Sequence, residues 1–258
     1  MIICLDVGNS HIFGGVFDED RLRLRFRYPS KQASTSDQLG VFLKGVFHEN
    51  NLLPSEVEHI AICSVVPSLN YSLRSACLKY FKKEPFILQA GVKTGLNILT
   101  KNPREIGADR IANVIAAVNQ FPDKNIIVVD FGTATTFCAV RAGLDYLGGP
   151  IMPGIRISME SLHSQAAMLS PVNILAPQQC LGHTTSNNIQ SGLYYGQLGA
   201  VREISARLRT EVFQGDKPVL VGTGGFAHLF ESENIFSTIV PDLVLHGLRL
   251  ALAKNTVY

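Results

Sequence analysis

The sequence lacks the paired-cysteine and paired-histidine motifs that hold structural or catalytic zinc. Its five cysteines (Cys4, Cys63, Cys77, Cys138 and Cys180) are odd in number and scattered, no CxxC occurs, and the seven histidines form no HExxH. We therefore expect neither a disulfide framework nor a zinc site. We expect the thiols to pack as small apolar groups in a cytoplasmic, reducing compartment.

Long apolar runs and a strong charge imbalance are also missing. Asp6 interrupts the first apolar run, and no stretch approaches the roughly 18–20 residues that a membrane-spanning helix needs. The net charge is only +2, and the 23 lysines and arginines are spread along the 258 residues. We predict a globular protein without a signal peptide, a membrane segment or a nucleic-acid partner.

The common phosphate-binding motifs are absent or misplaced. The chain contains no GxxxxGK[ST], which excludes a P-loop enzyme. GTGGFA at 222–227 fits G-x-G-x-x-A after a strand, but too little chain follows it for a doubly wound sheet. We interpret it as a glycine turn that approaches a nucleotide, and a purely structural turn is the alternative.

The sequence does contain one pattern twice, about half a chain apart. DVGNS at 6–10 and DFGTAT at 130–135 each follow an apolar strand and precede another strand. Each half then continues with strands alternating with helices, so the halves look like a tandem duplication of one α/β unit. We predict two lobes, residues 1–120 and 121–258, each a mixed sheet with an antiparallel meander and flanking helices, packed around a ligand cleft.

The repeated turns carry residues that suit a nucleotide bound with a cation. An aspartate beside a phosphate is repelled unless a cation lies between them, which assigns Asp6 and Asp130 to the cation side. The alternative is that both segments are ordinary β-turns. The equivalent positions of the two copies argue against this alternative. Short side chains that can donate to phosphate oxygens follow each aspartate: Asn9, Ser10, Thr133, Thr135 and Thr136.

NPREIGADRIANVIAAVNQF at 102–121 predicts a helix with Asp109 and Arg110 in its first turn. Asp109 can accept a proton from a substrate hydroxyl while Arg110 holds an anionic end of the substrate. We expect the helix N-terminus to keep Asp109 ionised. The alternative is that Asp109 only stabilises the start of the helix and that Arg110 is an ordinary surface charge. Small residues leave room for a ligand before the helix and on the face opposite its apolar stripe: Gly107, Ala108, Ala112, Asn113 and Ala116.

GHTTSNNIQSG at 182–192 offers a second place for a small polar ligand. The hydroxyl of Thr184 or Thr185 could hydrogen-bond such a ligand. A serine or threonine before a helix is more often an N-cap, which is the alternative.

Taken together, the DxGN loop, GADR, DFGTATT, the loop GGPIMPGI at 148–155 and the threonines before QSGL resemble type III pantothenate kinase over nearly the whole chain. The resemblance implies an actin-like (ribonuclease H-like) ATPase fold of two duplicated lobes. It implies ATP-dependent phosphorylation of pantothenate to 4'-phosphopantothenate, the first step towards coenzyme A. It also implies a cytoplasmic homodimer that needs Mg2+ and a monovalent cation, K+ or NH4+.

The resemblance also implies roles for individual residues. Asp109 matches the proton acceptor, Asp130 the monovalent-cation residue and Thr133 a nucleotide contact, while Asp6 lies on the magnesium side through water. Thr185 matches a substrate-contacting threonine, and the substrate segment is Gly107, Ala108, Asp109 and Arg110. The phosphate loop of ATP matches Asp6, Val7, Gly8, Asn9, Ser10, His11, Ile12 and Phe13.

Two positions depart from the family pattern. Where the family often has a substrate-contacting tyrosine before GADR, this chain has Thr100. The phosphate loop continues with His11-Ile12-Phe13, where the family usually has small or amide residues. Two other functions stay open at this point. One is an actin-like kinase for a sugar or acetate, and the other is a non-catalytic regulator.

Overall fold

The computed structural model of the protein describes residues 1–30, 34–166 and 168–256. They fall into two compact units that are discontinuous in sequence. The first unit takes Met1–Gly95, Lys101–Ala116 and the chain from Leu243 onward, and the second takes Leu96–Thr100 and Ala117–Asp242. The division into lobes at residues 120 and 121 stays a prediction.

The sheet of the first unit has the strand order β3-β2-β1-β4-β5. Its first three strands form the predicted antiparallel meander, because short turns join them, whereas β4 and β5 run parallel to β1 after helical connections. The strands are β1 (Ile2–Val7), β2 (His11–Asp18), β3 (Arg21–Pro29), β4 (His59–Ser64) and β5 (Phe86–Ile87).

Helices α1 (Ser36–Glu49) and α2 (Pro67–Ala76) pack their apolar faces on this sheet. α1 begins with a capping box in which Thr35 and Gln38 satisfy each other's backbone N–H groups. Leu39, Leu43 and Phe47 recur along α1 at helical spacing and are buried. They form the core of the first unit together with residues of β1 and β4.

The second sheet repeats the order of the first. Its strands lie in the order β12-β11-β7-β8-β9-β6, with β10 beside β8, so β9-β8-β7-β11-β12 matches β3-β2-β1-β4-β5. The strand directions match as well, which confirms the predicted duplication. The strands are β6 (Asn97–Ile98), β7 (Ile126–Phe131), β8 (Ala134–Arg141), β9 (Asp145–Gly148), β10 (Ile151–Pro153), β11 (Val219–Thr223) and β12 (Thr238–Ile239).

Helices α4 (Ile155–Gln165) and α5 (Thr185–Glu211) follow this meander. α5 buries Leu198 and Val201 in the core of the second unit. Tyr194 of α5 stacks on Phe230 at 5.0 Å between ring centroids, and Phe230 stacks in turn on Phe131 of β7 at 4.8 Å. This aromatic column joins the helix to the strand that carries Asp130.

Two further helices, α3 (Ala108–Gln120) and α6 (Leu243–Asn255), complete the fold. We expected one face of α3 to stay open for a ligand, and this expectation is wrong, because Ala112, Asn113 and Ala116 are only 0%, 2% and 4% exposed. At Gly247 of α6 the backbone lies so close to the carbonyl of Ala112 that no side chain fits. The small residues therefore serve helix packing.

Among the helices of the described residues, none combines the length and the apolar character required to cross a bilayer.

Candidate active site

The first predicted turn joins β1 to β2 and carries Asp6. The N–H of Gly8 donates to the carbonyl of His11 over 3.1 Å, which closes a tight reversal. Asp6 is half-buried at the end of β1, and Asn9 and His11 are exposed. The side chains of Val7, Ile12 and Phe13 are buried, with 0%, 3% and 9% exposure. Any contact of these three residues with a nucleotide is therefore made through the backbone.

Cys63 is the partner of Asp6 that sequence reasoning missed. It lies directly opposite Asp6 in the parallel register of β1 and β4, and its thiol donates to Asp6 Oδ1 over 3.3 Å. Burial raises the pKa of the Cys63 thiol well above its usual range, and the charges of Asp6 and Asp109 raise it further. Cys63 is buried as predicted, but its thiol also donates to a carboxylate, a contact that depends on the pairing of β1 with β4.

Asp109 is the second residue of α3, and its charge acts on the same thiol. Its Oδ1 accepts a hydrogen bond of 2.8 Å from the N–H of Arg110. This oxygen also occupies the place where a side chain at Gly107 would begin, and Val65, which follows β4, lies on the same side of Gly107. The room at Gly107 is therefore taken by Asp109 itself and is not open to a ligand as predicted. Cys63 thus contacts Asp6 directly and lies within the electrostatic reach of Asp109 in the predicted substrate segment.

The pKa of Asp109 is raised, chiefly because burial penalises its charged form. The N–H of Arg110 and the guanidinium charge of Arg110 act in the opposite direction but do not outweigh burial. Burial therefore opposes the helix N-terminus, which we expected to keep Asp109 ionised. A carboxylate with a raised pKa holds a proton more readily, which suits a group that must accept one.

The second predicted turn joins β7 to β8 and carries Asp130. Asp130 is half-buried at the strand end and lies opposite Thr136 on β8 and Thr223 on β11. The N–H of Gly154, in the GGPIMPGI loop, donates to the carbonyl of Thr133 over 3.2 Å. That loop therefore fixes the backbone at the predicted nucleotide-contacting threonine.

The GTGGFA segment packs directly on Asp130. Gly224 has a φ of +90°, and a Cβ at this position would overlap Asp130 Oδ1 and the N–H of Phe131. Only glycine combines this backbone conformation with such a close approach. The turn thus has a clear structural role beside the predicted cation residue, and its contact with a nucleotide stays a prediction.

Thr135 does not serve as the phosphate donor that we predicted. Its side chain is 0% exposed, and its hydroxyl donates to Gln197 Oε1 over 3.0 Å. The Nε2 of Gln197 donates in turn to the carbonyl of Pro153 over 2.9 Å. Thr135 therefore ties the second turn to α5 and β10.

The remaining predicted substrate residues belong to the second unit. The hydroxyl of Thr184 accepts a hydrogen bond of 3.1 Å from the N–H of Asn187, so Thr184 is the N-cap of α5. Thr185 is the first helical residue and is exposed. The hydroxyl oxygen of Thr100 is enclosed by protein. The substrate roles of Thr185 and Thr100 stay predictions.

The residues near the two aspartates fit cations bound together with a nucleotide. Within the described ranges, no group of three or more histidine, cysteine or acidic side chains is placed to hold a metal ion. Mg2+ is commonly held by one or two carboxylates together with phosphate oxygens and water. The half-buried Asp6 offers one such carboxylate. The carboxylate of Asp130 packs closely on Gly224, and a second cation there stays a prediction.

The family model of type III pantothenate kinase matches residues 2–207. A type III pantothenate kinase of Legionella pneumophila (strain Corby) is 58% identical over 256 residues, which cover 99% of this chain and 100% of the relative. A type III pantothenate kinase 1 of Francisella tularensis subsp. holarctica (strain OSU18) is 52% identical over 255 residues, with 99% and 100% covered.

A solved structure shares the fold at low sequence identity. A protein of Campylobacter jejuni, described as a candidate transcriptional activator of the Baf family, has a TM-score of 0.60 and 18% identity, with 98% of both chains covered. This similarity supports the fold alone. The family match and the full-length identities carry the assignment, and the chain belongs to the type III pantothenate kinase family.

Proposed function

We propose that this chain transfers the γ-phosphoryl group of ATP to the primary hydroxyl of pantothenate, with Asp109 as proton acceptor. The product is 4'-phosphopantothenate, and the reaction is the first step of coenzyme A synthesis. The observation that carries the proposal is the half-buried carboxylate of Asp109, with its raised pKa, at the start of α3 in a chain of this family.

Asp109 takes the hydroxyl proton as the phosphoryl group leaves ATP. Phosphoryl transfer depends on alignment and charge neutralisation more than on covalent chemistry. The hydrogen bond from the N–H of Arg110 holds Oδ1 of Asp109 in place, so the carboxylate is oriented before the substrate binds. Arg110 binds an anionic end of the substrate, and a guanidinium suits a carboxylate. Gly107 and Ala108 complete the substrate segment, with Thr185 and Thr100 as further candidates.

ATP is proposed to place its phosphates against residues 6–13 and Thr133. The exposed Asn9 and the N–H groups of the turn offer donors to phosphate oxygens. Asp6 would hold Mg2+ largely through water, and Asp130 would hold K+ or NH4+ beside the phosphates. The cations would neutralise negative charge that builds up on the transferred group.

A homodimer and a cytoplasmic location complete the proposal. Large contiguous apolar patches mark association surfaces, and half of the large apolar side chains that are exposed in the described residues lie between positions 151 and 181. Gel filtration with light scattering would test the dimer. The free thiols of all five cysteines suit a reducing compartment.

A coupled assay of ADP release tests the proposed function directly. We expect turnover that requires pantothenate and rises with added K+, and no comparable turnover with glucose, N-acetylglucosamine or acetate. ADP release independent of pantothenate would contradict the proposal. Turnover with a sugar instead would identify an actin-like sugar kinase.

A further inference from the structure

Cys63 touches Asp6, one of the two aspartates of the first unit to which we assign a role, and has no part in the mechanism above. Its side chain is 0% exposed, and it donates to Asp6 Oδ1 over 3.3 Å. We propose that Cys63 is a positioning residue whose thiol orients the carboxylate of Asp6 toward the divalent cation of bound ATP. This inference rests on the proposed function for its nucleotide and deepens it.

The location of Cys63 suits this role. An aspartate carboxylate rotates easily about its last side-chain bond, because that torsion has a broad energy profile. A donor on a buried, hydrogen-bonded strand removes that freedom, and β4 is such a strand, with β1 and β5 on its two sides. The same strand leads into Val65, which lies 3.7 Å from the position of a Cβ at Gly107. The end of β4 thus supports both Asp6 and the segment that carries Asp109.

The second unit shows that strand pairing alone does not create this contact. Thr223 lies opposite Asp130 as Cys63 lies opposite Asp6. Its hydroxyl nevertheless donates to the carbonyl of Val240 over 2.7 Å. The residue at the matching position of the second turn thus donates elsewhere, whereas Cys63 donates to the aspartate of the turn where the divalent cation is proposed.

The test compares three variants at position 63 with one matched control. Cys63→Ala removes the donor, Cys63→Val removes it while keeping bulk, and Cys63→Ser keeps a donor. Cys77→Ala is the control, because Cys77 is also 0% exposed in the core of the same unit. Binding of Mg2+ and ATP is measured by calorimetry without pantothenate. Activity is measured against Mg2+ concentration, and thermal melts identify the variants that fold.

We expect Cys63→Ala and Cys63→Val to weaken binding of Mg2+ with ATP and to lower kcat by about 5- to 20-fold, as the loss of one hydrogen bond to a charged group predicts. The KM for pantothenate should change little, because the hydrogen bond that is lost is to Asp6 and not to the predicted substrate segment. Cys63→Ser should recover most of the loss, and Cys77→Ala should resemble the wild type.

Three results would overturn the inference. They are unchanged Mg2+ and ATP binding in a folded donor-less variant, an equal loss in Cys77→Ala, and a Cys63→Ser variant as impaired as Cys63→Ala. The calorimetric measurement separates this inference from the proposed function. If the wild type binds ATP with Mg2+ but does not phosphorylate pantothenate, the proposed function fails while binding still tests Cys63.

Discussion

The turns at Asp6 and Asp130 lie at the same place in two sheets of the same strand order, yet their carboxylates have different neighbours. Asp6 accepts a thiol hydrogen bond from Cys63 and has Asp109 nearby. Asp130 instead lies against the backbone of Gly224. The opposite residue in the second sheet, Thr223, donates to a carbonyl.

This difference teaches how a duplicated scaffold can separate two roles. The strand pairing that positions each aspartate is the same, whereas the residues opposite the two aspartates differ. A carboxylate held by a side-chain donor near another acid suits a strongly charged cation. The carboxylate of Asp130, whose position depends on the missing side chain at Gly224, is the one proposed for the monovalent cation. The comparison therefore predicts that mutations in the two turns have distinct cation phenotypes.

The largest expected effect is at Asp109 in the first turn of α3. In the second half of the chain, the aspartate nearest the start of a helix is Asp242, which directly precedes α6. Asp109→Asn should lower kcat by about 10²- to 10⁴-fold, the usual cost of removing a general base. ATP binding measured by calorimetry should be retained. Asp242→Asn is the control and should keep near-normal turnover. Near wild-type turnover in Asp109→Asn would refute the assignment of the base.

Gly224→Ala should have the next largest effect. The alanine Cβ would overlap Asp130 Oδ1 at a φ of +90°, which costs about 1–3 kcal/mol of strain and displaces the carboxylate. We expect a lower melting temperature and the loss of activation by K+. In the control, Gly132→Ala, the new Cβ would lie 3.6 Å from the same oxygen, an ordinary contact. Equal effects of the two variants would show that Gly224 has no special relation to Asp130.

Neutralising each aspartate tests the division of roles. Asp6→Asn should raise the Mg2+ concentration needed for half-maximal rate, whereas Asp130→Asn should abolish the response to K+. Each loss should be about tenfold or more if one charge contact with the cation is removed. Titrations of activity with each cation are the measurement. Identical responses in the two variants would remove the distinction between the turns.

The pH dependence of the reaction follows from the raised pKa of Asp109. The acid limb of kcat/KM should have its midpoint above the usual aspartate value of about 3.9, because the protonated carboxyl cannot accept a proton. In the folded state this group binds its proton more tightly than in the unfolded chain. Its contribution to stability is therefore present at low pH and is lost as pH rises through the folded-state pKa.

This linkage predicts a stability gain on removing the charge. Asp109→Asn should melt no lower than the wild type at neutral pH, because a desolvated negative charge is gone. Calorimetric melts at acidic and neutral pH check the sign. A clear loss of stability at neutral pH would mean that the ionised carboxylate stabilises the fold.

The smallest expected effect is at Thr223, the counterpart of Cys63. Thr223→Val removes the hydrogen bond to the carbonyl of Val240 and should cost about 1 kcal/mol of unfolding free energy. The response to both cations should be unchanged, since Thr223 does not hold a carboxylate. Denaturant unfolding measures the cost. An altered response to K+ in this variant would contradict the conclusion that Thr223 has no influence on the cation at Asp130.

The sequence predicted the duplicated fold well because its determinants are local. The meanders follow from short turns between apolar strands, and DVGNS and DFGTAT mark equivalent reversals. The neighbours of the aspartates could not be predicted, because they depend on contacts between distant segments. Cys63 reaches Asp6 across 57 residues. The buried face of α3 likewise depends on α6, more than a hundred residues later.

The discontinuity of the first unit has a consequence for how the chain is made. α6 buries Leu245, Leu248 and Leu252 in the unit that begins at Met1. During synthesis from the N-terminus, that unit lacks its last helix until the whole second unit has left the ribosome. The sheet bearing Asp6 therefore completes its packing only after the second unit has been synthesised. Loss of α6 would destabilise the first unit, although α6 lies far from that sheet in the sequence.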